Sequence, residues 1–296
     1  MELRQLKTFR TVATLNSFNE AAKVLNYAQS TISEQIRALE EDLNVRLFER
    51  SGKKIVLTSA GEVLLVCAQK ILDLEEEIKA AVTQQKEPHG SLSVRIPETV
   101  SIYYLPPILK LFHERFPKIQ FNLMNCGYYR LEQELQSGMI NLAFLILDQY
   151  QSKALEVEPL LSVPLVLVCH PANPLTGKQQ VWVQDLKKET IFLPNEDCSY
   201  RMIFERILNT EKVEPAVVIN CNSIEAIKAY IMAGTGITVI PEVAIKKEIS
   251  RGELTVLNWA GDPLEAKIFM IRHKEKWISP ILKAFMETIR ENIKPA

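Results

Sequence analysis

The sequence predicts a multidomain α/β chain: a small helix-turn-helix head carrying a β-hairpin, a long connecting helix, and a larger region of alternating strands and helices. Three observations predict it. Apolar residues recur at helical spacing in three short segments before residue 44. A heptad-spaced apolar run extends from Leu64 to Ala81. From about Ser91 onward, short apolar runs alternate with amphipathic stretches, a pattern that packs as largely parallel α/β structure.

In the head, Leu3, Leu6, Phe9, Val12 and Ala13 fall on one helical face. Ser17-Phe18-Asn19-Glu20 has the spacing of a capping box. Phe18, Ala21, Ala22 and Leu25 then follow at i, i+3, i+4 and i+7. Asn26–Gln29 is a short turn, after which Ser30 is expected to cap a third helix with Ile32, Ile36, Leu39 and Leu43 inward. Leu47–Arg50 and Lys54–Leu57 flank Ser51-Gly52 as a small hairpin. Thr58 is placed to cap the long helix. Its seam of Leu64, Cys67, Ile71, Leu74, Ile78 and Ala81 needs a partner helix. Glu87-Pro88-His89-Gly90 ends it and marks a linker.

Beyond the linker, strands are expected at Leu92–Ile96, Ile119–Leu123, Leu142–Leu147, Leu165–Cys169, Ile191–Leu193, Val217–Asn220, Ile237–Ile240 and Ala266–Ile271. Helices are expected at 102–115, 128–137, 199–209, 223–233 and 277–292.

Composition removes several classes of function. The 296 residues are 47% hydrophobic and 24% charged, ordinary for a globular protein. No apolar run approaches the ~20 residues that span a bilayer, and the N-terminus lacks an apolar signal core, so the cytoplasm is the expected location. The five cysteines are scattered and never form C-x-x-C, against a disulfide framework or zinc site. The four histidines are dispersed, and no P-loop, G-x-S-x-G or H-E-x-x-H occurs, so an enzyme is not expected. No cofactor or metal is expected either. Gly234-Thr235-Gly236 follows a helix, so it is a turn and not a nucleotide loop.

Net charge is −1, so any attraction to nucleic acid has to be local. Arg46, Arg50, Lys53 and Lys54 face only Glu49 between residues 46 and 54. A paired-helix module with a polar outer flank suits the major groove, which the N-terminal end of a helix can read. Gln29, Ser30, Thr31, Ser33, Glu34 and Gln35 occupy that end, opposite Ile32 and Ile36. Gln can pair with adenine and Glu can accept from cytosine. Arg37, Arg50, Lys53 and Lys54 are candidate phosphate contacts. The alternative reading of the spacing is a three-helix packing module whose polar face is merely solvated; the polar end of the third helix favours DNA binding.

The stretch from Phe18 through Ala21-Ala22, Ser33 and Leu39-Glu40, followed by Leu47-Phe48-Glu49-Arg50 and Leu57-Thr58-Ser59-Ala60-Gly61, resembles the N-terminal signature of the LysR-type transcriptional regulators. Tyr104-Leu105-Pro106, Phe116-Pro117 and Ala233-Gly234-Thr235-Gly236-Ile237 leading to Pro241 extend the resemblance along the chain. Glu34 departs from it, since many members carry a basic or neutral residue there.

The resemblance implies a winged helix-turn-helix DNA-binding domain at 1–58, a dimerisation helix at 59–90 and an effector-binding domain at 91–296. The latter is a two-lobed α/β fold like that of periplasmic binding proteins, with lobe I at about 91–162 and 267–296 and lobe II at about 163–266. It implies crossover strands near Leu160–Leu165 and Pro263–Ile268. It also implies subunit pairing through Leu64, Cys67, Ile71, Leu74 and Ile78, as a homodimer or homotetramer, on an interrupted palindromic operator. RNA polymerase is a further candidate partner. Between the lobes, helix N-termini favour a small effector, with an anion the first expectation. Thr99, Ser101, Cys198, Ser199, Arg201, Asn222, Ser223 and Thr238 are the candidate contacts. Each hydroxyl and amide also reads as a plain helix cap. Glu98 stands against an anion. Cys198 sits near the reactive position of peroxide-sensing members, but no second Cys follows until Cys221.

Gln29→Ala should weaken binding to one operator more than to random DNA. Lys53→Ala should weaken both alike and lower the salt slope by about one. Fluorescence anisotropy titrations at several salt concentrations separate the two; equal losses for Gln29→Ala on both DNAs remove its base-reading role.

Overall fold

The computed structural model describes residues 1–51, 54–83, 90–125, 128–196 and 198–295. It divides into two compact units, Met1–Ser91 and Leu92–Ala296.

The first unit contains α1 (Leu3–Leu15), α2 (Phe18–Leu25), α3 (Gln29–Leu43), β1 (Phe48–Ser51), β2 (Lys54–Leu57) and α4 (Ser59–Thr83). The first three helices all end on an asparagine in the left-handed region, Asn16, Asn26 and Asn44, a conformation that asparagine tolerates better than most residues. Ser17 accepts from the Glu20 amide at 3.2 Å. The reciprocal half of the expected capping box is absent, because the Glu20 carboxylate pairs with Lys23 at 2.8 Å. The third helix starts two residues earlier than expected. Ala28 stands at its N-cap without a side-chain bond, so Ser30 belongs to the first turn and is not the cap.

Leu6, Phe9, Val12, Ala21, Ala22, Ile32, Ile36, Leu39 and Leu47 form the core of this unit, joined by Ala68 and Leu72 of α4. Phe48 brings β1 onto it, 5.3 Å from Phe9 and 5.8 Å from Phe18 between ring centroids. The hairpin β1–β2 is antiparallel. Thr58 caps α4 by accepting from the Gly61 amide at 3.1 Å. Gly61 has no room for a side chain, since a Cβ there would lie 2.2 Å from the Leu47 carbonyl oxygen.

The second unit runs β3 (Gly90–Ile96, its first residues in the connection), α5 (Glu98–Tyr103), α6 (Leu105–Arg115), β4 (Ile119–Asn125), α7 (Leu131–Ser137), β5 (Leu142–Leu147), β6 (Leu155–Cys169), β7 (Thr190–Leu193), α8 (Arg201–Thr210), β8 (Val217–Asn220), α9 (Ile224–Met232), β9 (Ile237–Pro241), α10 (Lys246–Ser250), β10 (Thr255–Val256), β11 (Glu265–His273) and α11 (Pro280–Asn292). The main strand order is β4-β3-β5-β11-β6-β9-β7-β8, with β10 also on β6. Parallel pairs hold each end: β3 with β5, and β7 with both β8 and β9. In the middle, β6 and β11 are long, antiparallel and shared by both lobes. β11 pairs with β5 through 267–271, and β6 pairs with β9 through 165–169.

Residues 155–159 of β6 lie outside the expected strands, because Pro159 interrupts the pattern. Here the register of β6 against β11 shifts between Ile268 and Phe269, and Pro159 lies opposite Phe269. The helix expected at 102–115 is two helices. Pro106 and Pro107 have no amide hydrogen to donate to a preceding turn, so α6 restarts at Leu105 behind Tyr104. The helix expected from 128 begins at Leu131, after Arg130 takes a left-handed conformation.

Gly61→Ala should destabilise the first unit by about 1–3 kcal/mol through overpacking against Leu47 and should displace the hairpin. Chemical denaturation followed by far-UV circular dichroism, with DNA affinity measured alongside, checks both outcomes.

Candidate nucleic-acid interface and effector cleft

The polar flank of α3 is set by the burial of its other side. Ile32, Ile36 and Leu39 are packed in the core, which turns Gln29, Ser30, Glu34 and Arg37 out to solvent. Thr31, Ser33 and Gln35 are half-buried on its margins. Gln29 donates through Nε2 to Ser33 Oγ at 2.8 Å, one turn on. Gln35 is tied inward, its Oε1 accepting from the Thr8 hydroxyl at 2.6 Å. Arg37 pairs with Glu41 at 2.8 Å on an exposed surface. An exposed ion pair of this kind is worth little. Arg50 and Lys54 belong to the hairpin strands, so they flank its turn. Lys53 lies outside the described residues.

The sequence reading gave Glu40 no structural task, yet its carboxylate organises the approach to the hairpin. It accepts from the Leu47 amide at 2.7 Å and the Phe48 amide at 3.4 Å, and pairs with Arg46 at 3.1 Å. The spacing of seven residues to Leu47 carries no recognisable signal.

On α4, the expected pairing seam is divided. Leu64 and Ile71 pack against the head's own core. Cys67 is exposed, and so are Leu74 at 45% and Ile78 at 52%. Val63 and Val66, which a strict heptad assignment passes over, are exposed as well.

In the second unit, a cavity of about 50 Å³ lies between the lobes. Thr99, Cys198, Ser199 and Asn222 line it, together with Glu98, Asn125, Asn195 and Tyr200. Four other candidates are placed elsewhere. Ser101 does not reach the lining. Thr238 is buried and donates to the Phe192 carbonyl at 2.7 Å. Ser223 caps α9 and accepts from the Ala226 amide at 3.4 Å. Arg201 is buried and already committed: to Glu205 at 2.6 Å, to the Pro194 carbonyl at 2.7 Å and to Asn220 Oδ1 at 2.8 Å. It holds the loop before α8 in place, so the carboxylate clamp expected from its position is not available.

Several bonds cross between the lobes. Glu98, at the start of α5, accepts from the Ser223 hydroxyl at 3.1 Å and the Ile224 amide at 2.8 Å. Ile146 of β5 donates to Ser199 Oγ at 3.1 Å. The Tyr103 hydroxyl lies 2.7 Å from Glu225 Oε1 and 3.2 Å from the Ala244 carbonyl oxygen. Burial, then the bond to Glu225, pushes that phenol up to about 12, so it stays protonated. Asp148 pairs with Arg206 at 2.6 Å. Partial burial would raise the Asp148 carboxyl, but the bond to Arg206 prevails and holds it below the usual range.

Burial pushes Tyr200 well above the ordinary phenol range, with Cys198 beside it adding to the effect. Among the described residues no cluster of His, Cys, Asp and Glu can hold a metal ion, and no helix is long and apolar enough to cross a membrane.

A winged head with an exposed reading helix, followed by a two-lobed α/β domain with a cleft at the lobe junction, defines a DNA-binding regulator with a ligand-sensing domain. Residues 3–62 match the bacterial regulatory helix-turn-helix protein, lysR family, and residues 85–294 match the LysR substrate binding domain. The chain belongs to the LysR family of transcriptional regulators, a family of regulators and not of enzymes. It is 39% identical over 298 residues to the uncharacterized HTH-type transcriptional regulator YwqM of Bacillus subtilis (strain 168), covering 99% of this chain and 100% of that protein. Full-length CbnR complexed with its target DNA aligns with a TM-score of 0.68 at 28% identity, over 99% of this chain and 100% of that one. The regulatory domain of Synechocystis PCC6803 CcmR, in complex with 2-PG, shares the fold with a TM-score of 0.62 at 23% identity, over 70% of this chain and 98% of that one.

Arg201→Ala should destabilise the ligand-free protein by about 1–3 kcal/mol, because it strands the buried Pro194 carbonyl and Asn220 without their donor. Urea unfolding without any added ligand checks this; an unchanged midpoint denies Arg201 its structural role.

Proposed function

We propose that the protein reads an interrupted palindromic operator with paired heads and that a small molecule in the inter-lobe cleft shifts how those heads are spaced. The observation that carries the DNA reading is the split of α3: one face is sealed in the core, and Gln29, Ser30, Glu34 and Arg37 stand open. Gln29, with Thr31 and Ser33 beside it, is the base reader; Arg37, Arg50, Lys53 and Lys54 track phosphates. Gln35 is excluded from base reading by its bond to Thr8.

Pairing is assigned to the outer stripe of α4, Val63, Cys67, Leu74 and Ile78, which is apolar and open to water. A two-stranded coiled coil buries such a stripe. A dimer is the smallest assembly that meets this need, and two-fold symmetry then mirrors the palindrome. CbnR, the relative seen on its target DNA, supports the mode of binding. The cytoplasm, where the DNA lies, is the site of action. The effector is assigned to the cleft lined by Thr99, Cys198, Ser199 and Asn222. It acts only to the extent that it binds one inter-lobe arrangement better than the other.

Footprinting on genomic fragments, followed by sedimentation, tests the proposal. Wild type should protect two half-sites about one helical turn or a multiple of it apart. Leu74→Asp with Ile78→Asp should yield monomers and lose operator affinity by at least tenfold while keeping the head folded. A wild-type protein that protects a single half-site, or double variants that stay dimeric, would overturn the pairing assignment.

A further inference from the structure

We infer that the cleft takes a small ligand bearing a protonated amine, and rejects carboxylates and phosphates, because Glu98 already fills the anion position at the N-terminus of α9. The inference rests on the reading of this cleft as the effector site.

The first amides of a helix attract an anion. Here that anion is part of the protein. The Glu98 carboxylate comes from α5 on the other lobe and takes both the Ser223 hydroxyl and the Ile224 amide. A carboxylate offers about four acceptor directions, so part of its capacity still faces the cavity that Glu98 lines.

Charge around the cavity points the same way. No Lys or Arg lines it among the described residues. The nearby cations are already paired: Arg95 with Glu134 at 2.6 Å, Arg201 with Glu205 at 2.6 Å, and Lys228 with Glu225 at 3.0 Å and Glu248 at 2.8 Å. A second carboxylate or phosphate in the cavity would sit beside Glu98 with no counterion. An ammonium group there neutralises it.

A second, independent feature marks the cavity as built for a ligand. Thr99 is fully buried, yet its hydroxyl has no hydrogen-bond partner although it belongs to the cavity lining. Such a group is costly to leave unsatisfied. A ligand donor that reaches the Thr99 hydroxyl supplies the partner it lacks. The cavity of about 50 Å³ limits the occupant to a few heavy atoms.

Isothermal titration of the full-length protein with ethanolamine, glycolate and inorganic phosphate tests this, since the first two are similar in size and opposite in charge. Ethanolamine should bind wild type at least tenfold more tightly than glycolate or phosphate. Glu98→Gln should lose at least tenfold in ethanolamine affinity and remove the discrimination against glycolate. Thr99→Val, which preserves shape, should weaken ethanolamine without changing the preference for charge. Asn222→Trp, at an exposed position of the lining, should block the cleft and abolish binding. Glycolate or phosphate bound more tightly than ethanolamine, but lost in Asn222→Trp, would overturn the inference and leave the cleft as the effector site. Ethanolamine binding that survives Asn222→Trp overturns both readings. Absence of binding by all three probes overturns the inference.

Discussion

The architecture of the larger unit depends on one strand pair. β6 and β11 run antiparallel through the centre of the sheet, each long enough to serve both lobes. Backbone hydrogen bonding along this pair fixes where β5 can join on one side and β9 on the other. Each lobe then completes itself with short parallel strands and covering helices. Because only two strands are common to the lobes, the helix N-termini of both open toward the junction, and the cleft follows from the topology. Among the described residues, the ties across it come from side chains and single amides, including Glu98, Tyr103, Ser199 and Asp148. Such bonds are fewer and more scattered than those of a sheet ladder.

The head works by a different constraint. Its helices are short, and none would be stable alone. Each owes its position to an apolar stripe on a small shared core, in which Ala21 and Ala22 let α2 come close to its neighbours. The polar flank of α3 is a by-product of that packing: whatever does not enter the core is offered to the outside. The same division acts on α4, where Ala68 and Leu72 close the head and leave Val63, Cys67, Leu74 and Ile78 as the outer stripe. One amphipathic helix therefore closes the head on one face and leaves an apolar stripe open on the other.

The cleft shows how a side chain can reverse an expectation drawn from backbone physics. Helix N-termini at a lobe junction favour an anion, and that general rule holds here. The anion is Glu98, supplied by the protein itself. The arginine best placed in the sequence to clamp a ligand, Arg201, is instead the internal brace of its own loop. Both outcomes depend on where side chains end, which is a matter of three-dimensional neighbours and not of position relative to a helix start.

The sequence by itself determined the order of the parts, because hydrophobic period and capping chemistry are local. The helices of the head, the hairpin, Thr58 at the start of α4 and the strands at Leu142–Leu147 and Val217–Asn220 all follow from residues within a turn or two of each other. Thr99, Cys198, Ser199 and Asn222 reached the cavity for the same reason, since they sit at element ends that the fold gathers. Only the tertiary structure decided what depends on distant partners. It joined 155–159 to the crossing strand despite Pro159, bound Gln35 to Thr8, gave Glu40 its amides on Leu47 and Phe48, and set Glu98 on α9, more than 120 residues away. Those contacts are invisible along the chain because nothing local distinguishes a carboxylate that will be solvated from one that will find a helix N-terminus on the opposite lobe.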